Sequence, residues 1–338
     1  MAIEHQDERE TLGAKRRKVG APDRLAPGSP LDLNADSKKQ TLKRAVKEFS
    51  ADNLTDWAAS LTYYGVLAIF PAIIALVSII GLVGDSLADP LLDSLNEVAP
   101  GPAKEILTSS IKGLQNSQSS AGIVFVIGLL LALNAASGYI GAFTRASNAI
   151  YDVAEGRPVY KLKPAQIAIS LVLVLLLVVT AGAVALSGPA AKQAGDLVGV
   201  GDSAVAIWDI AKIPVILLVV IFMFSFLYWA APNVKQPGFK FITPGSVVAL
   251  VIWIVASLLF TVYVANFSSY NETYGALGGV VVFLIWMWIS NIAVLFGAEF
   301  NAELQRSRER AGGASAPLDE PFLEPRDASK LEKKDRKK

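Results

Sequence analysis

The chain has 338 residues, 53% hydrophobic and 18% charged, against ~25% charge in an average soluble protein. Its net charge of +1 leaves no global field to draw nucleic acid. It has no cysteine and a single histidine, His5, in a polar tail, so disulfides and thiolate chemistry are excluded.

Residues 1–37 are polar, carry the basic cluster Lys15–Lys18 and several Pro and Gly, and read as a disordered tail. The cluster is either a solvated charge run or a contact for anionic lipid headgroups. No apolar core of a cleavable signal peptide occurs in residues 1–40, so the first span is expected to act as its own insertion signal. From Ser37 to Ser60 the pattern turns helical. Leu42, Val46, Phe49, Asn53 and Trp57 fall at three- and four-residue spacing, with Lys43, Arg44, Lys47 and Glu48 largely off that stripe. This predicts an N-terminal amphipathic helix, either interfacial or packed beneath a bundle.

Six apolar runs follow, at about 61–83, 122–143, 164–186, 209–231, 244–266 and 275–296. Each matches the ~20 residues that cross a hydrocarbon core of ~30 Å as an α-helix. The first contains Tyr63 and Tyr64 near its start and Pro71 inside it, where a kink is expected; such a kink lines a cavity or is only a packing bend. Residues 85–120 read as two short amphipathic helices split by Pro100-Gly101-Pro102, lying on the outer surface. The second span carries Asn134 and Ser137. An amide at mid-span needs a partner, either another helix or a substrate. Residues 144–163 read as a loop with Arg145, Arg157, Lys161 and Lys163. The third span is almost wholly aliphatic, and a Gly-rich loop, 187–208, follows. Tyr228-Trp229 closes the fourth span, Thr243-Pro244 reads as N-cap and first-turn proline of the fifth, and Asn266 ends it. The last span contains Trp286, Trp288 and Asn291, then Glu299. The tryptophans sit mid-span and read as packing. The helix is expected to run on over 304–310, and residues 307–338 otherwise read as a second disordered tail.

Cytoplasmic loops carry an excess of Lys and Arg. With both termini cytoplasmic, only Lys104, Lys112, Lys192 and Lys212 fall on the outer side. The expected fold class is therefore an all-α integral membrane protein with six transmembrane helices: disordered cytoplasmic tails at 1–37 and 307–338 flank a membrane domain at 38–306.

The first and last spans resemble the YihY/virulence factor BrkB family of bacterial inner-membrane proteins. The resemblance rests on Ala59–Pro71 (ASLTYYGVLAIFP), Ala132-Leu-Asn134 and the stretch from Tyr274-Gly-Ala-Leu-Gly278 to Gly297-Ala-Glu-Phe-Asn301. It covers about Leu42–Arg306 and implies a six-span fold in the inner membrane. It implies no reaction, although some members carry an old label of transfer-RNA-processing ribonuclease.

A nuclease needs clustered His, Asp or Glu around metal ions, or a positioned acid–base pair. The sequence offers neither with a suitable context, so no enzyme activity, metal, cofactor or nucleic-acid partner is expected. Two readings remain. In a transporter or exporter, Tyr63, Tyr64, Asn134, Ser137, Asn266 and Asn291 converge on a neutral cavity for an uncharged or amphipathic solute. In a scaffold or envelope-assembly protein, the same groups tie helices pairwise. Glu299 either sits in headgroup water or pairs with Arg145, or else forms a proton or cation site at the inner mouth. Apart from the lipid bilayer, partners and oligomeric state are not legible.

Overall fold

The computed structural model describes residues 35–83, 118–185, 191–192, 201–266, 276–311 and 323–331; the described side chains leave out 35–36, 70–83, 118–125, 185, 202, 209, 265–266 and 276–277. The helices are α1 (Ala35–Ala51), α2 (Leu54–Val83), α3 (Gln118–Ile150), α4 (Val159–Ala185), α5 (Asp202–Ala230), α6 (Pro244–Asn266) and α7 (Ala276–Ala311). Each apolar run lies within one helix or ends within a residue of its boundary. A buried backbone in lipid must bond within its own segment, so an apolar run of this length has one regular form open to it. Five helices, α3 to α7, are long and apolar enough to cross a membrane over their described residues. The remaining expected span, 61–83, falls in α2, and its side chains from 70 to 83 lie outside those described.

Several boundaries differ from expectation. The amphipathic segment is not one helix. It breaks at Asn53, whose φ of 51° is left-handed, a conformation that asparagine tolerates better than most residues. The stripe also turns out differently: Thr41 and Ala45 are fully buried, whereas Leu42 and Val46 are exposed. α1 therefore packs beneath the bundle with its smaller side chains. The loop expected at 144–163 shrinks to 151–158, because α3 runs on to Ile150 and buries Phe143, Ala146 and Ile150. α5 begins at Asp202 rather than 209. The last helix continues past its apolar run to Ala311, in keeping with the continuation expected over 304–310, but 323–331, expected to be disordered, is docked. Pro71 lies within α2 without a break in helical assignment, but its side chain lies outside the described residues. So do the outer amphipathic pair at 85–117 and the N-terminal cluster Lys15–Lys18.

The helices form a ring. α2 packs along α3, α3 on α4, α4 on α5, α5 on α6, α6 on α7, and α7 back on α2 and α3, with α1 across α7. The core sits at one end of this ring, the end that carries α1 and the last turns of α7. We call that end the base. Leu54, Leu61, Phe143, Tyr228, Leu295 and Ala298 are buried there. Away from the base packing loosens. No described residue of 251–264 is buried, nor any from 279 to 290. The side chains left exposed, among them Leu175, Val179, Leu258 and Leu259, are those that lipid solvates well.

Two contacts hold the base. Gly245 of α6 and Gly297 of α7 face each other so closely that a Cβ on either would strike the other's carbonyl oxygen. Tyr228 donates from its hydroxyl to the Val294 carbonyl at 2.7 Å alongside. Small residues at a helix crossing allow this approach. Thr243 and Ser246 cap α6 reciprocally, each hydroxyl accepting from the other's backbone N–H at 3.2 and 3.1 Å. The second contact is the C-terminal segment. Asn233 donates to the Ala154 and Asp327 carbonyls and accepts from the Asp327 N–H. Val234 and Pro325 form an isolated bridge, and Arg326 lies over the Trp229 ring. Asp327 pairs with Lys161 at 2.7 Å, and that cation, with the Ser329 donors, holds the Asp327 carboxyl well below the usual range.

Two outcomes test this packing. Gly297→Val should lower the stability of the detergent-purified protein by about 1–3 kcal/mol or prevent folding. Gly279→Val, where an added Cβ meets nothing within 4 Å, should leave the thermal midpoint nearly unchanged. Asn233→Ala removes three side-chain hydrogen bonds, at about 1 kcal/mol each; limited proteolysis should then cleave 323–331 much faster while the membrane helices stay protected.

Candidate functional site

The residues expected to line a pathway do not converge. Tyr63 is exposed and stands edge-on to Tyr64, ring centroids 5.3 Å apart. Tyr64 is half-buried against Gly138 of α3. Asn134 is exposed, and its backbone carbonyl accepts from the Ser137 hydroxyl at 2.7 Å. Ser137 is fully buried and accepts from Lys163 of α4 at 2.7 Å. Asn291 accepts from the Tyr139 hydroxyl at 2.8 Å and donates to the Thr62 hydroxyl at 3.1 Å. It thereby ties α7 to α3 and α2. Asn266 ends α6, and its side chain lies outside the described residues. None of the other five lines the cavity of about 190 Å³ that opens at the base.

Arg145 is not the partner of Glu299. Its guanidinium lies 5.9 Å from the Tyr64 ring centroid on an exposed face of α3. α3 carries it there because the helix continues past the expected loop boundary. Glu299, by contrast, is 1% exposed. It lies just past the apolar run in α7, a helix of 36 residues and so ~54 Å long, which exceeds the ~30 Å of a hydrocarbon core.

Around Glu299 the base gathers a network of charges, of which Glu299, Glu303 and Arg306 are buried. Glu299, Glu303 and Arg306 recur at four- and three-residue spacing, so they share one face of α7. Glu303 lies between two arginines. Arg44 Nε of α1 donates to its Oε2 at 2.8 Å, and Arg306 Nε stands 3.0 Å from its Oε1. Arg306 also donates to Asp152 at 2.8 Å. Ser307 adds a contact to Arg44 and one to Thr41 at 2.8 Å. Asp152 occupies the left-handed position that closes α3, with φ 53°. The Val153 N–H bonds the Asn148 carbonyl and the Asp152 N–H bonds the Ala149 carbonyl, each at 2.9 Å. Glycine is the usual residue at this point of a Schellman motif. The aspartate accepts a less favourable backbone and delivers a carboxylate to Arg306.

Glu299 lies one turn before this bridge. Its Oε2 is buried with no hydrogen-bond partner. The charges facing it are Asp52, Glu303 and Glu48, opposed by Arg306. Acids outnumber bases here. The same imbalance acts on Asp52 in the α1–α2 turn: burial, then the neighbouring Asp152 and Glu48, push its carboxyl from 3.8 up to about 7, with Arg306 opposing. Among the described residues no group of three or more His, Cys, Asp or Glu is placed to hold a metal ion.

Sequence reasoning found Glu299 but missed Arg44, Asp52, Asp152, Glu303 and Arg306. The spacing of the three α7 residues was a usable signal. The partners on α1 and at the end of α3 were not, because their pairing spans as many as 259 residues.

A raised carboxyl pKa in the folded state means that the folded chain keeps a proton the unfolded chain has lost, so stability falls as pH rises from about 4 to about 7. Asp52→Asn removes that loss. Its thermal midpoint should exceed wild type at pH 8, and the difference should shrink towards zero by pH 4, as read by a pH series of thermal scans.

Comparison with known proteins places this arrangement among membrane proteins. A family model described as virulence factor BrkB matches residues 45–320. The chain is 30% identical over 268 residues to a "Putative ribonuclease-like protein YfkH" of Bacillus subtilis (strain 168), covering 79% of this chain and 96% of that one. It is 29% identical over 275 residues to UPF0761 membrane protein azo3165 of Azoarcus sp. (strain BH72), covering 78% of this chain and 63% of the relative. It is 30% identical over 277 residues to UPF0761 membrane protein RC1_0578 of Rhodospirillum centenum, 79% of this chain and 58% of the relative. The chain thus spans less than two thirds of these two UPF0761 relatives. No solved structure matches.

Proposed function

This chain belongs to the virulence factor BrkB family, and from that premise we propose that it is a proton-coupled transporter of an uncharged or amphipathic solute. In this reading six spans cross the bacterial inner membrane with both termini cytoplasmic, and the base faces the cytoplasm. The observation that carries the reading is Glu299: a carboxylate 1% exposed, with one oxygen unpartnered, among three other acids. A buried ionised group needs pairing or it destabilises the fold, and Glu303, one turn away, has that pairing in full. A carboxyl with one buried oxygen unpartnered beside it suits a group that takes up and gives up a proton. Ionisable groups among membrane helices commonly serve that purpose.

The packing supports a gate. The base is closed by the α6–α7 crossing and by the Arg44–Glu303–Arg306 bridge, whereas the described residues 171–184, 251–264 and 279–290 include none that is buried. The mechanism then has two states. With the base closed, Glu299 holds its proton. When α1 and α7 part, the carboxylic acid releases that proton to cytoplasmic water and the carboxylate draws one from the other side on return. The solute class rests on the loosely packed half, where aliphatic and aromatic side chains dominate. The polar groups there include Trp253 bonded to Ser290 and Trp286 bonded to Ser257.

One observation favours the second reading, a membrane scaffold. The Tyr139–Asn291–Thr62 chain joins three helices as pairwise ties. One relative is named as ribonuclease-like, but the only histidine here is His5, and among the described residues no acid–base pair stands beside a groove for RNA.

Proteoliposomes holding an interior pH dye, under an imposed pH gradient, decide between the two. Wild type should dissipate the gradient on addition of at least one solute from a panel of uncharged and amphipathic compounds. Glu299→Gln should abolish that response while inserting and melting like wild type, and Arg145→Gln should retain it. Full activity of Glu299→Gln would sink the proton role, and silence of the wild type across the panel favours the scaffold.

A further inference from the structure

The opposite face of α7 carries a different chemistry. Glu299, Glu303 and Arg306 face α1 and the end of α3. Asn301, Gln305 and Arg308, displaced by two residues and repeating the same spacing, lie on the other side of the helix. They line the cavity of about 190 Å³ between the end of α5, the 231–243 turn and the start of α6. Lys240 of the turn and Trp229 of α5 complete its charged and aromatic walls. No Asp or Glu is among its lining residues. Lys240 and Arg308 therefore line one concave site together with amide groups, with no acid among its described lining residues.

The surface beside it is apolar. Phe239 and Phe241 stand 5.2 Å apart, and Phe222 lies 5.5 Å from Phe241 and 5.9 Å from Phe239. Phe241 is 68% exposed. Aromatic rings at the end of apolar helices mark the headgroup level of a bilayer, and basic pockets between helices at that level hold anionic headgroups. The caps of α6 are already satisfied by Thr243 and Ser246, so the side chains do the holding.

We propose that this cavity is a phosphate-binding site, in which Lys240 and Arg308 hold a phosphate group and the Phe239–Phe241 shelf carries whatever apolar chain is attached to it. A lipid headgroup and a free phosphate offer the same chemistry, and the shelf favours the lipid. The site is separate from Glu299 and does not depend on transport.

Native mass spectrometry of the full chain in detergent tests this with three probes: phosphatidylglycerol, a diacylglycerol of the same chains, and inorganic phosphate. Wild type should retain phosphatidylglycerol and not diacylglycerol. Lys240→Gln with Arg308→Gln should weaken retention at least about tenfold, while Lys240→Arg restores it and Lys235→Gln, at the ion pair with Glu324, leaves it unchanged. If the double variant fails to fold, Lys240→Gln alone, at an exposed position, should still weaken retention about fivefold. Binding of inorganic phosphate without phosphatidylglycerol, lost in the same variants, supports the site with a free anion as its occupant. Retention of diacylglycerol equal to phosphatidylglycerol, retention that ignores these substitutions, or binding of neither phosphate probe overturns it.

Discussion

Glu303 is the point on which the base turns. Its two oxygens are shared between Arg44, from the first helix, and Arg306, from its own, and Arg306 reaches on to Asp152 at the end of α3. Buried charges are stable only when paired with good geometry, and removing one partner strands the others. The bridge therefore couples α1, α3 and α7 in a way that apolar packing alone does not. Leucines slide past one another at small cost, but an arginine held by two carboxylates has one position.

Around that anchor the helix ends behave differently from the helix middles. At the base, glycines at 245 and 297 bring α6 and α7 into backbone contact, Tyr228 bonds across them, and the returning segment 323–331 covers the 231–234 turn. Farther along, the same helices lose their buried positions. Lipid solvates aliphatic surface as well as a protein core does, so nothing drives those halves together. Among the described residues the helices are clamped at the base and loose away from it, and Glu299, with one oxygen unpartnered, sits beside the clamp. α7 thus has an acid-bearing side against α1 and a cationic, amide-bearing side against the cavity, set by nothing more than helical periodicity.

The expected pathway failed for an instructive reason. Tyr63, Asn134 and Asn291 are all polar groups in apolar runs, and composition treats them alike. Their fates differ by rotation about their helix axes. Asn291 turns inward and finds Tyr139 and Thr62, whereas Tyr63 and Asn134 turn out. Arg145 was assigned to a loop because the apolar run ends near 143. Burial of Ala146 and Ile150 extends the helix past it and leaves the guanidinium over Tyr64, far from the role of neutralising Glu299.

By itself, the sequence determined the all-α membrane class, the places of the long helices and the cap at Thr243. These follow from local quantities: the length of an uncharged run, the spacing of side chains, and the need of every backbone group in lipid to bond within its own segment. Only the tertiary structure decided which charges meet, which polar groups turn inward, and that 323–331 folds back onto the 231–234 turn. Those outcomes depend on helix rotation and on contacts between residues hundreds of positions apart, and an apolar run carries almost no record of either, since one aliphatic face packs against lipid or protein nearly as well as another.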